Sequence, residues 1–111
     1  LRKKGVLIIS SGNMVHNLSM VAWNKMDEPG YGYDWALKMN DTFKQLISDG
    51  DHQPLIRYEG FGREAQLAIP TPEHYLPLLY TLGLKNGRDK VTFFNDKAVA
   101  GSLTMTSVKI G

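Results

Sequence analysis

Three histidines, and a carboxylate next to one of them, carry most of the chemistry this chain offers. His74 stands in Pro70-Thr71-Pro72-Glu73-His74-Tyr75, and His16 in Gly12-Asn13-Met14-Val15-His16-Asn17-Leu18. A neutral imidazole binds a metal ion or accepts a proton, and Glu73 adds an oxygen donor. Mononuclear iron and zinc sites combine two or three such groups and leave a position open for substrate. No local spacing rule links His16 to His74, so only the fold can bring them together. Asn13 and Asn17 offer hydrogen bonds beside His16. His52 lies in the polar run Asp49-Gly50-Asp51-His52-Gln53-Pro54 and reads as exposed and inert. The plainer reading of His74 is a surface histidine at a helix start, so a second signal is needed.

Other chemistries are thinly represented. Cysteine is absent, which excludes disulfides, thiolate zinc sites and a cysteine nucleophile. No Gly-x-Ser-x-Gly, phosphate-binding loop, His-Glu-x-x-His or Gly-x-Gly-x-x-Gly occurs. Ser10-Ser11-Gly12-Asn13 has the look of an anion-binding turn but no lysine to support it. The formal charge of +2 is small and scattered, and only Arg2-Lys3-Lys4 clusters, so nucleic acid is not an expected partner. No apolar run approaches the ~18 residues of a membrane span. The basic start is followed by too short an apolar run for a signal peptide, so a soluble, cytoplasmic protein is expected.

The elements that must position the histidines are readable from periodicity. Gly5-Val6-Leu7-Ile8-Ile9-Ser10-Ser11-Gly12 is a continuous apolar run ending in small polar residues, the pattern of a strand buried on both faces in a parallel sheet. His16 then falls beyond that strand's carboxyl end, where ligands collect in open α/β sheets. Asp34 is placed to cap a helix with Trp35, Met39, Phe43, Leu46 and Ile47 on one stripe and Gly50 as its stop. Two short helices are expected between Pro54 and Ala68, interrupted at Gly60-Phe61-Gly62. Thr71 as N-cap and Pro72 at the first helical position predict a helix over 72–82 with His74 in its first turn. Val91–Phe94 and Leu103–Ile110 read as strands. The chain has 111 residues, 42% of them hydrophobic, and neither repeats nor low-complexity stretches, so 1–111 reads as a single α/β segment. Leu1-Arg2-Lys3-Lys4 resembles the last turn of a helix that began earlier, which predicts a piece of a larger domain.

Two stretches supply the second signal. Ser11-Gly12-Asn13-Met14-Val15-His16-Asn17-Leu18 and Pro70-Thr71-Pro72-Glu73-His74-Tyr75-Leu76-Pro77-Leu78-Leu79-Tyr80 resemble the class III extradiol ring-cleavage dioxygenases, in particular their LigB-type, 4,5-DOPA dioxygenase extradiol-like branch. Gly101-Ser102-Leu103-Thr104-Met105-Thr106-Ser107-Val108 is similar to the C-terminus of that branch. The resemblance runs from Gly5 to Gly111. It implies the C-terminal portion of a domain with a central, mostly parallel sheet flanked by helices, whose N-terminal half, absent here, carries further histidines. It implies non-haem iron(II) as the catalytic ion, with zinc a possible occupant, and a catechol such as DOPA with O2 as substrates. His74 becomes a metal ligand, with Glu73 as the alternative in that segment. His16 becomes either a ligand or the general acid–base that takes the catechol proton and later returns it. His52 matches no family motif. Two other readings of the same residues are a zinc-dependent hydrolase on a related scaffold and a non-catalytic binding relative.

Overall fold

A computed structural model describes residues 1–111. The core is built around helix α1, Asp34–Asp49, whose apolar stripe buries Ala36, Met39, Phe43 and Ile47. Trp35 and Leu46 lie partly buried at the edge of the same cluster. Gly50 ends the helix, its N–H donating to the carbonyls of Leu46 and Ile47. Tyr33 occupies the cap position, so Asp34 is the first helical residue, where its charge still favours the positive helix end. Two further short helices follow, α2 (Gln53–Ile56) and α3 (Arg63–Ala68), with a 3-10 turn over Tyr58–Phe61 between them. Phe43 meets Tyr75 and Phe61 at ring distances of 5.5 and 6.3 Å, and Tyr58 meets Tyr75 at 5.0 Å.

The segment expected as one helix over 72–82 is divided. Pro72–His74 form a 3-10 turn, and helix α4 runs from Leu76 to Gly83. Pro72 and Pro77 each sit at the start of their own short element, because neither ring nitrogen can donate to a preceding turn. Thr71 makes no side-chain cap bond to the backbone. Its hydroxyl donates instead to Oε1 of Glu73, at 2.7 Å. Tyr75, just after His74, is the anchor of this region, because its buried hydroxyl donates to the carbonyl of Leu55 at 2.6 Å. Removing that donor in Tyr75→Phe strands a buried carbonyl. A loss of about 1–3 kcal/mol in chemical denaturation is expected, with no change in the metal-free secondary structure by circular dichroism.

The α/β class stands, but the sheet differs from expectation. Strands β1 (Val91–Phe94) and β4 (Ser107–Ile110) form one antiparallel pair, and β2 (Ala98–Val99) and β3 (Leu103–Thr104) another. The segment over 5–12 is not a strand of either sheet. A parallel ladder needs neighbouring strands delivered by crossover connections, and no second segment of that kind occurs among these 111 residues. The stretch expected as one strand, Leu103–Ile110, breaks after Thr104. Thr104 and Thr106 are buried while Met105 is 46% exposed, so the polar face turns inward. The reason is Asp96: it pairs with Lys44, and it accepts from Thr106 Oγ1 at 2.8 Å and from Asn40 Nδ2 at 3.2 Å. These bonds satisfy the buried Thr106 hydroxyl, whereas the Thr104 hydroxyl is buried without a partner. No helix is long and apolar enough to cross a membrane.

Candidate active site

His16 and His74, remote in sequence, lie face to face with ring centroids 3.8 Å apart and planes inclined by 15°. Each is delivered by its own segment. His74 ends the 3-10 turn, and its carbonyl accepts the Asn13 N–H at 2.7 Å, stitching that turn to the exit of the 5–12 segment. Gly12 permits the approach: a Cβ there would lie 2.1 Å from the His74 carbonyl oxygen. His16 donates its backbone N–H to the Ala68 carbonyl at 2.8 Å and makes an isolated bridge with Leu103.

The asparagines expected to serve the His16 ring do other work. Asn13 Nδ2 donates to the Thr104 carbonyl at 2.8 Å, and Asn17 Nδ2 donates to the Leu67 carbonyl at 2.8 Å. Both amides fasten the loop to the body of the fold, and His16 keeps its ring free of them. The turn between β2 and β3 completes the fastening. Ser102, fully buried, donates Oγ to the Asn17 carbonyl at 2.6 Å and accepts the Asn17 N–H at 3.1 Å on its own carbonyl. Ala100 and Gly101 hold Ala22 and Tyr33 through backbone bonds of 2.8 and 2.9 Å. The sequence reading marked Gly101 and Ser102 only as part of the C-terminal resemblance and missed that they position the loop. The small-residue run Ala100-Gly101-Ser102 was their sole local sign, since close backbone approach needs small side chains.

Burial, followed by the charge of the His74 ring, lowers the His16 pKa from its ordinary 6.5. Glu73 is exposed, and the Thr71 hydroxyl holds its carboxyl below the usual value, with its own backbone N–H adding to the effect. His52 takes no part in the stack, and its Nε2 is buried without a partner. The His16 shift has a sign in stability. Between the folded pKa and 6.5 the unfolded chain binds more protons, so the contribution is complete above about 6.5 and declines as pH falls through the folded value. The metal-free chain is therefore expected to lose denaturation midpoint on going from about pH 7.5 to about pH 5. Parallel urea titrations should show a smaller loss in His16→Gln.

The donor chemistry suits a transition metal, since neutral imidazole is the ligand that iron and zinc take. The number is short, for no group of three or more His, Asp, Glu or Cys residues converges. The orientation adds a constraint. An imidazole binds in its own ring plane, and two nearly parallel planes 3.8 Å apart do not aim both lone pairs at one ion. In this arrangement one ring at a time can ligate.

No protein-family model matches the chain. A protein named 4,5-DOPA dioxygenase extradiol from Escherichia coli K12 is 42% identical over all of this chain and 41% of its own length. Proteins of the same name from Portulaca grandiflora and Beta vulgaris are 27% and 26% identical, each over 98% of this chain and 39% of their own length. The crystal structure of an uncharacterized protein from Escherichia coli K12 superposes with a TM-score of 0.86 at 38% identity, covering 99% of this chain and 45% of that one. The chain thus spans about two fifths of the length of the curated relatives it matches, in their C-terminal part.

Proposed function

The chain belongs with the proteins named 4,5-DOPA dioxygenase extradiol, as a match to their C-terminal part, and from that premise we propose that it supplies one side of the active site of a non-haem iron(II) dioxygenase opening the ring of a catechol such as DOPA with O2. The observation that carries this reading is the apposition of His16 and His74 at 3.8 Å in a chain otherwise stitched to hold them there. His74 is the metal ligand that this segment offers, because its ring is the one brought against His16. His16 is the proton carrier. Its depressed pKa keeps the ring neutral near pH 7, ready to take a catechol proton on an imidazole nitrogen and return it later. Bound iron(II) would supply Lewis acidity toward the catechol oxygens and electron density toward O2. The remaining donors, and the residues that read the catechol's side chain, come from the N-terminal half of the fold.

The test is oxygen uptake by the complete protein, loaded anaerobically with iron(II) and then given DOPA in air-saturated buffer. Uptake of one O2 per catechol with a yellow ring-opened product is expected. Iron bound without uptake of oxygen sinks the dioxygenase reading and returns the site to the zinc-hydrolase alternative.

A further inference from the structure

Asn86-Gly87 is the one place where glycine follows asparagine in this chain. It opens a turn that the Asp89 N–H closes on the Asn86 carbonyl at 3.1 Å. Both residues are exposed, and nothing lies within 4 Å of a carbon added at Gly87. The Arg88 N–H donates to Asn86 Oδ1 at 3.0 Å, which arches the side-chain carbonyl over the Gly87 peptide and polarises it. The Gly87 N–H donates to nothing. The same turn holds the start of the chain. Asp89 accepts the Asn86 N–H at 2.7 Å, and its two oxygens take the Arg2 guanidinium at 2.7 and 2.9 Å. Arg2 also donates to the Leu84 carbonyl, at 2.6 Å, just past the end of α4. Arg2, and after it the Asn86 N–H, hold the Asp89 carboxyl down at about 2, so it is charged throughout the neutral range.

We propose that Asn86 is a self-modifying site whose side-chain amide is lost to form isoaspartate, and that this frees Arg2 from the turn. The Gly87 nitrogen, its proton taken by hydroxide, attacks Asn86 Cγ. The N–Cγ bond forms as the Cγ–Nδ2 bond breaks, and the amide nitrogen leaves as ammonia with a proton from water. Water then opens the cyclic imide at the main-chain carbonyl, and the imide nitrogen regains a proton. The sum consumes one water and releases one ammonia, with no oxidant or reductant. Glycine alone leaves its nitrogen unshielded by a Cβ and free to turn toward Cγ. The product carries the main chain through Cβ and Cγ, so the turn gains an atom and the former carbonyl becomes a carboxylate. That carboxylate stands beside Asp89, like charge against like. The bonds that aimed Asp89 are lost, and Arg2 no longer meets two oxygens held in register for it. Neither metal nor catechol takes part.

The complete protein, without metal, is held in mildly alkaline buffer and mapped by mass spectrometry, with enzymatic methylation marking isoaspartate. Asn86 is expected to convert ahead of every other asparagine, faster as pH rises, and to release ammonia in equal amount. Asn24, exposed and followed by Lys25, is the comparator. Gly87→Ala places its carbon in open space, so the fold is kept while conversion slows at least about tenfold. Limited trypsin digestion reads the release. The protease must draw an arginine or lysine side chain into its own pocket, so the held Arg2 is protected while Lys3 and Lys4 beside it are not. Cleavage after Arg2, relative to cleavage after Lys3 and Lys4, should rise at least about tenfold on conversion. Asp89→Asn should raise the same ratio with no modification at all. Conversion of Asn86 no faster than that of Asn24 overturns the site, as does an unchanged rate in Gly87→Ala. Conversion that leaves the Arg2 ratio unchanged overturns the release.

Discussion

In the complete iron-loaded protein, His74→Ala is expected to lose the metal, whereas His16→Ala keeps it and loses turnover by about 100- to 10,000-fold. The asymmetry follows from the stack. With planes 15° apart at 3.8 Å, the two rings cannot share one ion as they stand, so the proposal assigns ligation to one and proton transfer to the other. Glu73 is the other donor in its segment, and it is exposed and accepts the Thr71 hydroxyl. The His16 pKa is lowered, first by burial, which keeps its ring neutral and able to accept a proton at pH 7. Iron content by mass spectrometry, together with kcat measured at saturating iron, separates the two roles. The pH profile adds a signature: the acid limb of kcat/KM should lie below 6.5 in the wild type and disappear in His16→Gln. Equal loss of iron in both variants would make His16 a ligand and would require one ring to rotate on loading. Unchanged iron content in both would remove the pair from the metal site altogether.

How much of this was legible depended on whether the signal was local. Helix α1 carried most of its message in sequence, and its apolar stripe and glycine stop fold as read, with the cap one residue earlier at Tyr33. The 5–12 run reads by composition as a strand buried on both faces, yet it joins neither sheet and leaves Leu7 and Ile9 exposed, because composition carries no information about a pairing partner. The reversed faces around Met105 were hidden for a different reason. Threonine reads as solvent-facing in an alternating pattern, but Asp96, Lys44 and Asn40 form a polar nest that makes burial of Thr106 favourable. At the site, residue types alone marked His16 and His74 as candidates, and only resemblance joined them. The bonds that hold them together run from Asn13 to His74, from His16 to Ala68 and from Ser102 to Asn17. None has a periodicity to betray it. Asn13 and Asn17 show the cost of reading proximity in sequence as proximity in function: both are spent on carbonyls of other segments.

The substitution with the largest expected effect outside the histidines is Gly12→Ala. Its Cβ would fall 2.1 Å from the His74 carbonyl oxygen, 3.1 Å from the carbonyl carbon and 3.4 Å from Pro77 Cγ. The first two are backbone atoms with no rotamer to escape into, so the 72–74 turn or the 5–12 segment must move. Either movement stretches the adjacent Asn13-to-His74 bond, now 2.7 Å, which sets where His74 stands relative to His16. A destabilisation of about 1–3 kcal/mol is expected, the range for forcing extra volume into a packed contact. Iron affinity of the complete protein should fall by about 10- to 100-fold, the usual scale for disturbing the groups that orient a metal ligand. Gly87→Ala is the control, since nothing lies within 4 Å of its added carbon, and a change within about 0.5 kcal/mol is expected there. Urea denaturation of both variants reads the first effect and iron titration the second. A Gly12→Ala protein as stable as wild type, with undiminished iron affinity, would mean that His74 is fixed from its other side, through Tyr75 and the Leu55 carbonyl. Stability lost with affinity retained would mean that the turn moves as a unit and carries both rings with it.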